Sequence, residues 1–131
     1  MIREGTAAHN LKALMPLLTQ QYYSRCMFAT DDKHPSDLLY GGHIDYIVKQ
    51  ALKNGADPIV ALKTATHHAA RYFLLNNKGA IASGYLADIV VVDNLEDFNV
   101  ETVFKRGKLV FDGEVKDFSA PTVDEKLAEK C

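Results

Sequence analysis

An α/β fold that passes into an all-β run in its last third is what this sequence predicts. Three observations carry it. Apolar residues recur at helical spacing in three stretches before residue 79, short apolar segments run directly into polar turns, and from Ala80 the period becomes that of strands. At 131 residues and 14.5 kDa the chain has room for one small core. A content of 47% hydrophobic and 24% charged residues, with 4 Pro and 8 Gly, excludes disorder, collagen and coiled coil.

The elements follow in order. Met1-Ile2 reads as a short strand running into a polar turn, and Ala7, Leu11, Leu14 and Leu18 then mark one helical face with Thr6 as its N-cap. Pro16 inside that face predicts a kink or two short helices meeting there. Cys26 to Ala29 is a second short strand, and the polar turn after it carries Pro35, which is expected to end regular structure. Ile44, Ile47, Val48, Ala51 and Leu52 form the stripe of a helix stopped by Asn54-Gly55. The next helix has Asp57 as N-cap and Pro58 at its first position, turns Leu62, Ala65, Ala69, Tyr72 and Phe73 inward, and stops at Asn76 to Gly79. Residues 87–92 hold the run Ile89-Val90-Val91-Val92, a buried strand by its length and β-branching. Strands at 100–106 and 108–111 flank the hairpin signal Arg106-Gly107, and residues 117–131 form a polar tail or linker.

Two βα units do not close a parallel sheet, because such sheets are buried on both faces. The sequence therefore looks like part of a larger fold. As an orphaned piece it is expected to expose the apolar faces of Met27, Phe28, Ile44 and Leu52.

Charge and cysteine usage narrow the partners. Fifteen basic and seventeen acidic residues are interspersed, for a net charge of −2, so no basic block suits nucleic acid. Cys26 and Cys131 form no C-x-x-C pair, which suggests neither a zinc ribbon nor a disulfide framework and fits a reducing cytoplasm. No apolar run approaches the roughly 18 residues that cross a bilayer.

The chemistry gathers at strand ends. Ligands in parallel α/β proteins bind at the carboxyl ends of strands, where Thr30-Asp31-Asp32-Lys33-His34 falls. An aspartate there can ligate a metal and accept a proton, although either aspartate can equally cap a turn. Glu4, beside Arg3 at the end of the first strand, can hydrogen-bond a polar substrate or serve as an ordinary acidic residue near a helix start. Adjacent His67 and His68 point about 100° apart on a helix and read as packing residues, as His9 and His43 read as structural ones. The H-x-E with P-C-x-x-C signature of zinc nucleotide deaminases is missing.

Three segments together resemble the adenine deaminases of the amidohydrolase superfamily. They are Met1-Ile2-Arg3-Glu4-Gly5-Thr6-Ala7-Ala8, then Thr30-Asp31-Asp32-Lys33-His34-Pro35 with Gly42-His43-Ile44-Asp45, then G-x-I-x-x-G from Gly79 to Gly84 leading into Ala87-Asp88-Ile89-Val90-Val91. The last is common across the superfamily; the first two are more specific. The resemblance spans residues 1–116 and implies that 1–79 are the last two βα units of a metal-dependent (β/α)₈ barrel, with 80–116 belonging to a small β-sandwich domain. It implies that Asp31 is both catalytic and metal-binding, with Glu4 and Asp32 on the substrate side. The cofactor would be a divalent metal, Mn²⁺ or Fe²⁺ with Zn²⁺ possible, and the substrate adenine, hydrolysed to hypoxanthine and ammonia in a cytoplasmic homo-oligomer.

The H-x-H and other ligands of that family are not in this sequence, which reads as a piece truncated at both ends. A catalytic metal needs about three protein ligands, so the isolated chain is expected to be inactive. Two other readings remain: an amidohydrolase acting on a cyclic amide, and a non-catalytic remnant serving as an assembly module.

Overall fold

The computed structural model describes residues 1–116, so the polar tail expected at 117–131 lies outside the described residues. Strands β1 (Ile2–Arg3) and β2 (Phe28–Ala29) pair in parallel, with Ile2 opposite Phe28 and Arg3 opposite Ala29. Short as they are, both strands put a large apolar side chain, Ile2 and Phe28, into the core.

The first helical stretch is broken, as Pro16 requires. Helix α1 (Leu11–Leu14) gives way to a 3₁₀ turn at Met15–Leu17, and another 3₁₀ turn covers Tyr23–Arg25. Thr6 does not cap α1. Its hydroxyl accepts from the His34 amide at 2.8 Å and donates to the Asp37 carboxylate, so it joins the first turn to the second.

Pro35 begins a helix where it was expected to end regular structure. It occupies the first turn of α2 (Pro35–Gly41), where its missing N–H is not needed and its fixed φ suits the helix. Helix α3 (Ile44–Lys53) follows, buries Ile47, Val48 and Ala51, and ends at Gly55 with φ 86°. Helix α4 (Pro58–Ala65) is capped by Asp57, whose Oδ1 accepts from the Val60 amide at 3.0 Å.

The single helix expected from 58 to about 75 is two. Thr66 adopts φ −123° and ψ −77°, its hydroxyl donates to the Leu62 carbonyl at 2.7 Å, and α5 (His67–Tyr72) restarts beyond it. A threonine that bonds the carbonyl four residues back competes with the helix ladder and bends it. The inward face moves accordingly. Val60, Ala61, Thr64, His68 and Ala70 are buried, whereas Tyr72 and Phe73 are 68% and 58% exposed.

The three remaining strands, β3 (Ile89–Val92), β4 (Val100–Lys105) and β5 (Lys108–Phe111), form an antiparallel sheet in that order. Arg106 and Gly107 both have positive φ, 52° and 79°, as a two-residue turn matched to strand twist demands. The β3 strand is not buried: as an edge strand it leaves Val90 54% exposed. Asp88, just before it, binds Lys78 at 2.7 Å, Lys105 at 2.8 Å and the Arg106 amide at 2.9 Å. These donors hold its carboxyl well below the usual range, the Lys105 ammonium first.

The buried core joins both parts. Ile2, Leu11, Cys26, Phe28, Ile47, Val48, Ala51 and Ala61 cluster with Phe98, which the β3–β4 loop delivers at φ 54°. That loop is built on side-chain turns: Asp93 accepts from Asn94 and Asn99, and Asn94 accepts from Glu96 and Asp97. Met27 and Phe28 are buried, and Ile44 and Leu52 pack against the core, so the expected exposed face is covered. Two strands this short need little cover, and α3 and α4 supply it. The exposed apolar residues lie elsewhere, among them Leu39 and Tyr40 of α2, Leu74 and Ile81. Among the described residues no helix is long and apolar enough to cross a membrane.

Two expected outcomes follow from this packing. Truncating the fully buried Ile47 to alanine leaves a cavity beneath β1–β2 and costs about 2–5 kcal/mol, read as a lowered denaturant midpoint. His68 is buried against Tyr23 and its Nδ1 donates to the Cys26 carbonyl at 3.1 Å. Burial pulls its imidazole below the ordinary value of 6.5, against the raising effect of that carbonyl. The unfolded chain therefore binds the proton more readily, and stability that is full above pH 6.5 is lost as pH falls towards the folded value. Denaturant midpoints from pH 8 to pH 5 should fall in the native chain and fall less in His68→Phe.

Candidate active site at the ends of the parallel strands

Parallel pairing brings the residues just past β1 and β2 side by side. Asp31, two residues beyond β2, has φ 53°, a conformation that aspartate tolerates better than most residues. Its Oδ2 accepts from Arg3 Nη1 at 2.7 Å, and both side chains remain partly exposed, at 37% and 47%. Arg3 is itself fixed through its backbone: its amide donates to Asn10 Oδ1 at 2.7 Å, and its carbonyl accepts from the Asn10 amide at 3.0 Å.

Asp32 faces the other way. Its Oδ2 accepts from the Ala7 amide at 3.1 Å and its Oδ1 from the Ala8 amide at 3.3 Å. The Ala8 amide first, then Ala7, lower its carboxyl below the usual range despite partial desolvation. Gly5 makes this clasp possible, since a Cβ there would lie 1.9 Å from Asp32 Oδ1 and 2.6 Å from the Thr30 carbonyl.

Glu4 is mostly buried at its carboxylate. Oε1 meets His9 Nδ1 at 3.2 Å and Oε2 accepts from the Leu11 amide at 3.2 Å, so Glu4 serves the start of α1. His9 Nε2 donates to the Thr6 carbonyl at 2.7 Å, and His43 Nε2 lies 3.2 Å from Thr30 Oγ1, which leaves the histidines with structural partners. Beside these residues runs an open groove of about 540 Å³ between the Gly5–Thr6 turn and α2, lined in part by Lys33, Asp37 and Tyr40. The Lys33 ammonium sits 4.2 Å over the Tyr46 ring.

Glu4, Asp31 and Asp32, the three carboxylates singled out from the sequence, therefore do come to one strand-end locale. Each has a different partner. What sequence reasoning missed is the pairing of Arg3 with Asp31 and the bracing by Asn10. The opposite charges just past two parallel strands were the available signal.

Charged residues converging at the carboxyl ends of parallel strands, under helices that cover the strands, are the arrangement of a (β/α) barrel segment. The Amidohydrolase family model matches residues 3–110, and the chain belongs to that family. Among curated relatives it is 46% identical to the adenine deaminase of Kosmotoga olearia, over 98% of this chain and 25% of that one. To the adenine deaminase of Thermosipho africanus it is 50% identical over 83% of this chain and 19% of that one. The chain thus spans about a quarter or less of the length of these relatives. A solved β-aspartyl dipeptidase from Fervidobacterium islandicum superposes with a TM-score of 0.69 at 22% identity, over 90% of this chain and 34% of that one, and shares the fold. A partial amidohydrolase barrel is the architecture these comparisons support.

Members of this superfamily generally use a divalent metal. Among the described residues no three His, Cys, Asp or Glu side chains come together as a ligand set, and Asp31 faces an arginine. The residues present do not fit such an ion by themselves.

Proposed function

We propose that these residues form the strand-end segment of an adenine deaminase, which hydrolyses adenine to hypoxanthine and ammonia. The observation that carries this reading is Asp31, placed past a barrel strand in a segment 46–50% identical to proteins named adenine deaminase. The reaction adds water at the purine carbon bearing the amino group and expels that group as ammonia. One proton must pass from the attacking water to the departing nitrogen. A carboxylate held at a strand end and partly exposed suits that transfer.

Asp31 is the catalytic residue in this reading and also the one metal ligand the segment contributes. The metal, Mn²⁺ or Fe²⁺ with Zn²⁺ as the other candidate, is held only together with ligands from outside these residues. Glu4 and Asp32 are assigned to the substrate side, Asp32 through its clasp on the Ala7 and Ala8 amides next to the Gly5–Thr6 turn and Glu4 from its place at the start of α1. Residues 1–79 are assigned to the barrel and 80–116 to a small β-sandwich domain, in a cytoplasmic homo-oligomer that binds neither nucleic acid nor membrane.

The test is a chimaera in which residues 1–116 replace the matching segment of the Kosmotoga olearia enzyme. It should convert adenine to hypoxanthine with Mn²⁺ supplied and leave cyclic amides untouched. Turnover of a cyclic amide in place of adenine would overturn the substrate assignment. The 131-residue chain assayed by itself should show no turnover above an Asp31→Ala control.

A further inference from the structure

We propose that Asn54-Gly55 is a site of spontaneous covalent modification, deamidation to aspartate and isoaspartate, gated by the cap that closes α3. Both residues are exposed just past the last helical residue, Lys53. The Gly55 amide nitrogen is the nucleophile. It attacks Asn54 Cγ, a C–N bond forms, and the side-chain nitrogen leaves as ammonia with the proton lost from the Gly55 amide. The resulting five-membered succinimide adds one water, and either of its two carbonyl C–N bonds breaks to leave aspartate or isoaspartate. Water is the one co-reactant. Of the asparagines in the sequence, Asn54 alone precedes a glycine; the others are followed by Leu, Asn, Lys or Val, whose side chains crowd the attacking nitrogen.

The fold holds this reaction back at three points. The Gly55 amide donates to the Leu52 carbonyl at 2.9 Å and the Ala56 amide to the Ala51 carbonyl at 3.0 Å, the paired bonds of a Schellman cap with Gly55 at φ 86°, so the nucleophile is engaged. The leaving group is engaged as well, because Asn54 Nδ2 donates to the Gln50 carbonyl at 2.7 Å. Closing the ring needs Asn54 Cβ and the Gly55 nitrogen nearly eclipsed about the Cα–C bond, and ψ 12° keeps them apart. All three restraints belong to a helix end, the part of a helix that opens most readily. Space for the opening exists: beyond its chain neighbours, no atom lies within 4 Å of where a Gly55 Cβ would sit. Fraying of the cap therefore frees nucleophile, leaving group and ψ together.

The product does not rebuild the cap. Aspartate replaces the donor facing the Gln50 carbonyl with a carboxylate oxygen and places negative charge at the negative end of the helix. Isoaspartate lengthens the backbone by a methylene, so the Gly55 and Ala56 amides no longer reach Leu52 and Ala51 together. Ala51 is itself buried in the core with Ile47 and Val48, which puts the damage next to the packing of α3.

The 131-residue chain, incubated folded and separately unfolded in guanidinium chloride at the same mildly alkaline pH, tests this. Trypsin cleavage after Lys53 and Lys63 releases residues 54–63, where mass spectrometry reads the change from carboxamide to carboxylate and elution separates the isoaspartate form. The folded chain should convert at Asn54 ahead of every other asparagine, and about 10–10³-fold more slowly than the unfolded chain, the range of a fraying equilibrium. Asn54→Gln should remove the product. Asn54→Asp should melt about 2–8 °C below the native chain, as a misplaced charge and a lost cap bond require. Equal rates in the folded and unfolded chains would show that the cap is no gate, and a folded chain in which Asn54 converts no faster than the other asparagines would show that it is no site; either result overturns the proposal. Asn54→Asp melting together with the native chain would overturn the effect on the cap.

Discussion

Asp31→Asn is expected to reduce kcat for adenine by about 10²–10⁴-fold in the chimaeric deaminase, the range in which positioned acid–base groups act. The amide keeps the size of the carboxylate and still offers Arg3 an oxygen, so the strand ends and the ion pair's geometry change little. What is lost is the group's ability to take a proton. Because the Asp31 side chain is partly exposed and the pair with Arg3 adds little to folding, the melting temperature should hardly move. Steady-state rates paired with melting curves check both halves. Equal activity of the two proteins would remove Asp31 from the chemistry.

A second large effect is expected at Gly5, on stability. Unlike Gly42, Gly55 and Gly79, Gly5 does not have a positive φ, so its need for glycine is one of space alone. A methyl group there would press on the Thr30 carbonyl, which is backbone and cannot swing aside, and on Asp32 Oδ1. Relief by rotating Asp32 breaks its bonds from the Ala7 and Ala8 amides and frees the turn. Gly5→Ala should therefore destabilise the chain by about 1–3 kcal/mol, the usual cost of overpacking. Thermal melts measure the total. Faster hydrogen exchange at Ala7 and Ala8 would locate it in the clasp.

The same residues show how far the sequence could be read. The stripe from Ile44 to Leu52 and the cap at Asp57-Pro58 rest on local rules, and α3 and the start of α4 follow them. Arg106-Gly107 specified its turn for the same reason. Pro35 was misread because proline both stops one element and starts the next, and only the Thr6 and Asp37 contacts across the chain reveal which. Thr66 looked like any helical threonine, since its bond to the Leu62 carbonyl is invisible to periodicity. That break carried Tyr72 and Phe73 to the surface. At the candidate site, the strand-end position of Asp31 was legible from the motif and the apolar run before it. Its partner was not, because Arg3 lies 28 residues away and meets it only through parallel pairing.

Phe98 bears on how the chain is made. It is one of nine buried residues in a single core cluster; the other eight occur by Ala61, and Phe98 lies 37 residues later. At about 5–20 residues per second of synthesis, the nascent helical part waits roughly 2–7 s for its last aromatic. During that interval the apolar cluster built from Ile2 to Ala61 lacks the aromatic that completes it. Completion of the α/β part is thereby tied to emergence of the β3–β4 loop from the ribosome, and a pause in translation between Ala61 and Phe98 would prolong the vulnerable state.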